Sequence, residues 1–207
     1  MEILKKKLWL MIALVLMSSF GFSQDNKKIQ EAFSGSYKHE TSGNYYKAID
    51  LMKSVYDEKS YEINLRLGWL NYLAGLFTES ISYYQKAISL NQYAIEAKLG
   101  IVNPAGAAGN WEQVKTNYEE ILKIDPQNTT VNYRMGLIFY GRQDYNTAYK
   151  YFEKVVNLYP FGYDALLMFA WTNYKLGKLR EAKILFNKVL MCSPNDSSAL
   201  EGIGLIK

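Results

Sequence analysis

Apolar positions along this chain recur at helical spacing, in paired runs separated by short polar turns. Within 129–160 one run carries Met135 and Phe139, the next carries Ala148, Phe152 and Val155, and Gly141-Arg142-Gln143-Asp144 lies between them. Residues three and four apart share a helix face, so the two runs predict a helical hairpin. A lone hairpin cannot bury both apolar faces, and neighbours must stack against it.

The turn repeats. Gly43, Gly75, Gly109, Gln143 and Gly177 are 32, 34, 34 and 34 residues apart. Two residues after each anchor stands Tyr45, Phe77, Trp111, Tyr145 or Leu179. Five after comes Ala48, Ser80, Val114, Ala148 or Ala182, mostly small, as a close helix crossing requires. Nine after stands Met52, Tyr84, Tyr118, Phe152 or Phe186, and twelve after Val55, Ala87, Ile121, Val155 or Val189. Seventeen after, Pro126, Pro160 and Pro194 end three of the second helices, since proline lacks the N–H and clashes with the preceding turn. Upstream, Leu67-Gly68, Met135-Gly136 and Phe169-Ala170 give a large-then-small pair in the first helix.

On these residues the chain resembles the tetratricopeptide repeat family, whose frame is 34 residues with a Leu-Gly pair followed by Ala, Phe and Pro. The resemblance implies an all-α fold, a right-handed α-α superhelix of five hairpins with a short C-terminal capping helix. The units run about 29–60, 61–94, 95–128, 129–162 and 163–196, with a partial cap at 197–207. The first unit matches least well, with Gly35-Ser36 in place of Leu-Gly and Ser60 where a proline would stand. The family is built for binding and its members hold very different partners, so function is less legible than fold.

Residues 1–23 read as an export signal. Lys5-Lys6-Lys7 is its cationic start, Leu8–Met17 its apolar middle, and Ser18 to Ser23 supplies small residues. The apolar stretch from Leu8 to Phe22 falls short of the ~20 residues that span a bilayer. The alternative is an uncleaved anchor that leaves the repeats outside the cytoplasm. Residues 24–28 form a short lead-in. The expected location is periplasmic or secreted.

Removing 1–23 takes away three Lys and one Glu, so the net charge falls from +4 to +2. A nearly balanced chain carries no electrostatic footprint for nucleic acid or an anionic membrane. At 49% hydrophobic and 15% aromatic residues it can fill a continuous core.

Catalytic signatures are missing. Cys192 is the only cysteine and His39 the only histidine, too few for a triad or a zinc site. Both read as packing residues. No phosphate-cradling Gly-rich loop, Gly-x-Ser-x-Gly or His-Glu-x-x-His occurs. Asp57-Glu58 and Glu119-Glu120 read as solvated faces of second helices. Asn128 and Asn195 match the N-glycosylation pattern, but lie where Asn, Asp, Ser and Thr cap the following helix. No enzyme and no cofactor or metal is expected.

The informative chemistry lies on the first helices, which carry a second apolar face at i, i+3, i+7 and i+10. Unit one offers Gln30, Phe33, Tyr37 and Glu40; unit two Glu62, Leu65, Trp69 and Tyr72; unit four Thr130, Tyr133, Leu137 and Tyr140; unit five Asp164, Leu167, Trp171 and Tyr174. In folds of this kind that face lines a concave groove. Trp and Tyr are the usual anchors of an interface. The groove is therefore expected to bury a partner segment, with Arg66 and Arg134 orienting a carboxylate. The family's Lys-and-Asn carboxylate clamp is not matched. The rings could instead pack against adjacent helices, leaving the edges or convex face to an envelope assembly. Stacked aromatics also suit a glycan.

Unit three departs from the pattern. Pro104 removes the bond to the Gly100 carbonyl, which costs ~3 kcal/mol in a helix interior, and biases Asn103 away from helix. This helix is expected to shorten or kink near Asn103. Asn103 and Gly106 stand where neighbouring units offer Trp or Tyr, so a notch or hinge for the partner is one reading. In the cap, Ala199, Leu200 and Ile203 are expected to face unit five, leaving Leu205 and Ile206 as a cap or docking edge.

Overall fold

The computed structural model describes residues 26–206. The export signal at 1–23 lies outside the described residues. The described residues form helices and turns without strands. Helix α1 occupies 26–41, followed by α2 (Tyr45–Lys53), α3 (Tyr61–Leu73), α4 (Phe77–Leu90), α5 (Ile95–Ala107) and α6 (Trp111–Ile124). The second half holds α7 (Thr129–Gly141), α8 (Tyr145–Leu158), α9 (Tyr163–Lys175), α10 (Leu179–Cys192) and α11 (Ser197–Leu205). Odd-numbered helices open the hairpins and even-numbered ones close them. Two compact units result, and the division falls after Val114, within α6.

The periodic turn has one backbone cause. Gly43, Gly75, Gly109, Gln143 and Gly177 all take left-handed φ, between 62° and 77°. In each turn the N–H of the following residue reaches back five positions, as from Leu76 to the Asn71 carbonyl (2.9 Å) and from Asp144 to the Phe139 carbonyl (3.0 Å). This closure satisfies the last carbonyls of the opening helix. The same following residue then begins the closing helix. Asp144 accepts from the Thr147 N–H (3.0 Å) and Asn110 from the Gln113 N–H (3.1 Å).

Rings fill the space that small residues leave. A methyl group placed at Gly136 would lie 2.6 Å from the Phe152 ring, and one at Gly202 2.3 Å from the Phe186 ring. The Tyr84 ring lies against two such positions, Gly68 and Gly100. In the first unit Met52, Ile63, Leu67 and Leu70 are sealed; in the second Phe152, Leu166, Phe186 and Val189 are.

Four expectations need correction. Helix α5 is neither shortened nor broken at Pro104: it has 13 residues, like α3, α7 and α9, with Pro104 inside it. Pro104 is buried, as are Ile101, Val102 and Ala105 of the same helix, so burial along the helix offsets the lost hydrogen bond. Helix α2 stops at Lys53, after 9 residues against 14 in the other closing helices. Val55 and the Asp57-Glu58 pair therefore stand in the turn before α3, where Asp57 accepts from the Lys59 N–H (2.9 Å). The 32-residue spacing of the first unit is the sequence trace of that shortening. Leu200 is 49% exposed, and Gly202, not Leu200, makes the close contact of the cap. His39 is half-buried at the end of α1 and is not part of the core.

Asn128 and Asp196 cap α7 and α11, accepting from the Val131 and Ala199 N–H groups. Cys192 is half-buried, and its thiol donates to the Phe161 carbonyl at 3.6 Å.

Candidate functional site

In the first unit, the inner faces of α1, α3 and α5 border an open cavity of about 600 Å³, within the ~300–1,000 Å³ range of ligand clefts. Helix α1 contributes Phe33 and Tyr37. Helix α3 contributes Tyr61, Glu62, Leu65, Arg66 and Trp69, while Glu96 and Gly100 come from α5 and Tyr84 forms part of the wall. Gly100 occupies the register of Arg66, nine residues before the turn anchor, and brings no side chain into this space. Phe33 and Trp69 are half-buried and Tyr37 is 54% exposed.

Arg66 is not the free anchor that its sequence position suggests. Its side chain is 6% exposed and paired with Glu40 Oε2. Its Nε–H donates to Ser36 Oγ (3.0 Å), and its guanidinium stacks 3.9 Å from the centre of the Tyr37 ring. Trp69 Nε1–H donates to the other Glu40 oxygen at 2.7 Å. Glu40 thus joins α1 to two α3 side chains. One group remains: Arg66 Nη2 is buried without a hydrogen-bond partner. A buried donor left unpaired costs ~1–3 kcal/mol.

The cavity rim is acidic. Glu62 and Glu96 are both exposed, and neither has a cationic partner among the described residues. The Tyr61 hydroxyl donates to Glu96 Oε1 at 2.8 Å. Burial, then this carboxylate, pushes the Tyr61 phenol up, and burial does the same for Tyr84, so both stay protonated. Tyr72 lies outside the cavity, its ring 5.7 Å from Trp69 and 6.1 Å from Phe77. Asn103 is exposed on α5 and does not line the cavity.

In the second unit the corresponding rings pack more on one another. Trp171 donates to Ser198 Oγ (2.8 Å) and lies edge-on to Tyr174 and Phe186, at 5.6 and 5.0 Å. Tyr133 leans on Phe152 and Tyr140 on Tyr145, at 5.9 and 5.3 Å. All four candidates are half-buried against the core. Arg134, in the register of Arg66, is exposed. Trp69, Tyr72, Trp171 and Tyr174 therefore keep some accessible surface, while much of each ring is already occupied.

The first-helix periodicity reached Phe33, Tyr37, Arg66 and Trp69, which the structure brings together. It missed Tyr61, Tyr84, Glu96 and Gly100 as lining. The legible trace of this arrangement is the glycine 16 residues after Tyr84, matched by Gly202 after Phe186. Among the described residues no cluster of three or more His, Cys, Asp or Glu could hold a metal, and no helix is long and apolar enough to cross a membrane.

Comparison with known proteins agrees with this architecture. Tetratricopeptide repeat models match residues 61–93, 131–161 and 164–190. No curated protein matches the chain. A tetratricopeptide repeat protein from Parabacteroides merdae ATCC 43184 is similar in structure, with a TM-score of 0.73 at 21% identity over 87% of this chain and 72% of that one. The MamA protein gives 0.70 at 19% identity, covering 83% of this chain and 95% of its own. YrrB, described as a tetratricopeptide repeat protein with an unusual peptide-binding site, gives 0.65 at 20% identity over 78% and 81%. At these identities the likeness carries the fold.

Proposed function

We propose, from the premise that this chain is a tetratricopeptide repeat protein, that it is a non-enzymatic scaffold holding an extended segment of a partner protein against the inner face of its first unit. The carrying observation is the cavity of about 600 Å³ between α1, α3 and α5, where the Phe33, Tyr37, Tyr61 and Trp69 rings are only partly covered. Aromatic side chains have ~150–250 Å² each to bury, and a partner that covers the remainder gains in proportion. YrrB, as a structural neighbour with a peptide-binding site, supports a peptide as the occupant. Phe33, Tyr37 and Trp69 are the contact residues in this reading, with Tyr72 buttressing Trp69. Tyr133, Arg134, Tyr140, Trp171 and Tyr174 form a second candidate surface on the other unit. The reading takes the chain as exported, on Lys5-Lys6-Lys7 and the apolar Leu8–Phe22 stretch.

A photo-reactive residue placed at Tyr37 in living cells tests the site, with Tyr46 as control because it is exposed on α2. One recurrent adduct from position 37, absent from position 46, is the expected result. Equal capture from both positions would refute the site.

A second reading rests on a different surface. Tyr159, Phe161 and Met191 are 59–70% exposed, and the Cys192 thiol reaches the Phe161 carbonyl across two of these inter-repeat segments. This edge suits an assembly subunit. Capture from position 161 and none from position 37 would favour it.

A further inference from the structure

The cavity of the first unit combines aromatic walls with two carboxylates that have no cationic partner among the described residues. Glu62 and Glu96 stand at its rim. Phe33, Tyr37, Tyr61 and Trp69 present rings to it. Arg66 is 94% buried in its wall and keeps Nη2 unsatisfied. The charge of Arg66 is already balanced by Glu40, so the cavity as a whole is negative.

We infer that this cavity takes a basic side chain, lysine or arginine, from the partner segment. The inference rests on the peptide-binding reading above and specifies its chemistry. An alkyl stem with a cationic head suits aromatic walls on both counts: the stem is apolar, and the ring faces attract the charge. Glu62 and Glu96 then supply the counter-charge. A carboxylate ligand would meet two like charges at the entrance and an arginine that is already paired, so a dicarboxylate or C-terminal carboxylate is the disfavoured guest.

The probes are capped single residues added to the full chain: N-acetyl-arginine methylamide, its citrulline isostere and N-acetyl-glutamate methylamide. The reporter is the Trp69 indole N–H resonance, which lies in the cavity wall and is anchored on Glu40. The arginine probe should shift this resonance saturably and bind about tenfold more tightly than citrulline. In an E62Q/E96Q variant that preference should fall toward unity while the thermal melt shifts little, since both groups are exposed and a glutamine oxygen still accepts from the Tyr61 hydroxyl. Equal binding of citrulline, tighter binding of the glutamate probe, or no shift with any probe would each overturn the inference. The peptide reading is judged separately by the capture from position 37, which a partner lacking a basic residue would still give.

Discussion

At the residue scale, backbone chirality and ring contact set the pattern. Gln143 sits at φ 62° where the other four turn anchors are glycine. A left-handed residue with a Cβ costs ~1–2 kcal/mol, offset in part by the greater freedom of glycine in the unfolded chain. Gln143→Gly should therefore raise stability by about 0.5–1 kcal/mol in a denaturant melt. Gly136 obeys the opposite balance. Alanine gains ~1 kcal/mol of helix propensity there, but its methyl would lie 2.6 Å from the sealed Phe152 ring. Overpacking costs ~1–3 kcal/mol, so Gly136→Ala should lower the melting midpoint, whereas Gly141→Ala, with open space around it, should not. These anchors were legible from a single period because a turn needs one conformation whatever surrounds it. The burial of Arg66 was not. It depends on Ser36, Tyr37 and Glu40 in another helix, and Arg134 in the same register is exposed.

At the element scale, helices are joined by a few polar links laid over apolar contact. Glu40 ties α1 to α3 through Arg66 and Trp69. Breaking a buried pair from one side costs ~3–5 kcal/mol, and Glu40 is itself 24% exposed. Glu40→Ala should cost about 2–4 kcal/mol, and Arg66→Met in the same chain should recover much of it in a denaturant melt. The helix caps respond to pH. Asp144 is held below the ordinary carboxylate range by hydrogen bonding with Thr147, and Asp196 by the Tyr163 hydroxyl and then the Ala199 N–H. Because folding lowers both values, their stabilisation is full above the unfolded value of about 3.9 and is lost as pH falls through the lower folded values. The acid limb of the thermal melt should flatten in a D144N/D196N variant. Sequence pattern placed all eleven described helices, five hairpins and a cap, yet misjudged the extent of α2 and the course of α5. A proline rule weighs one hydrogen bond; the buried face around Pro104 involves the entire helix.

At the scale of the whole molecule, each unit has its own core and its own ring surface, and they differ in what is left over. The first keeps an open cavity with an acidic rim, whereas Trp171, Tyr174 and Phe186 of the second largely satisfy one another. The five-hairpin pattern was visible in sequence; the open space of the first unit was not, because it turns on Gly100 bringing no side chain to the register that Arg66 and Arg134 occupy in α3 and α7. The proposed export also belongs to this scale. Fusing residues 1–30 to alkaline phosphatase, which is active only once exported, should give active enzyme, and an inactive, stable fusion would contradict export. The most direct test of the account is hydrogen exchange on the full chain, alone and with the partner segment recovered from position 37. Slower exchange concentrated in α1, α3 and α5 is the predicted result. Slowing confined to α2 and α4, or to the turn holding Tyr159 and Phe161, would contradict a binding surface on the inner face.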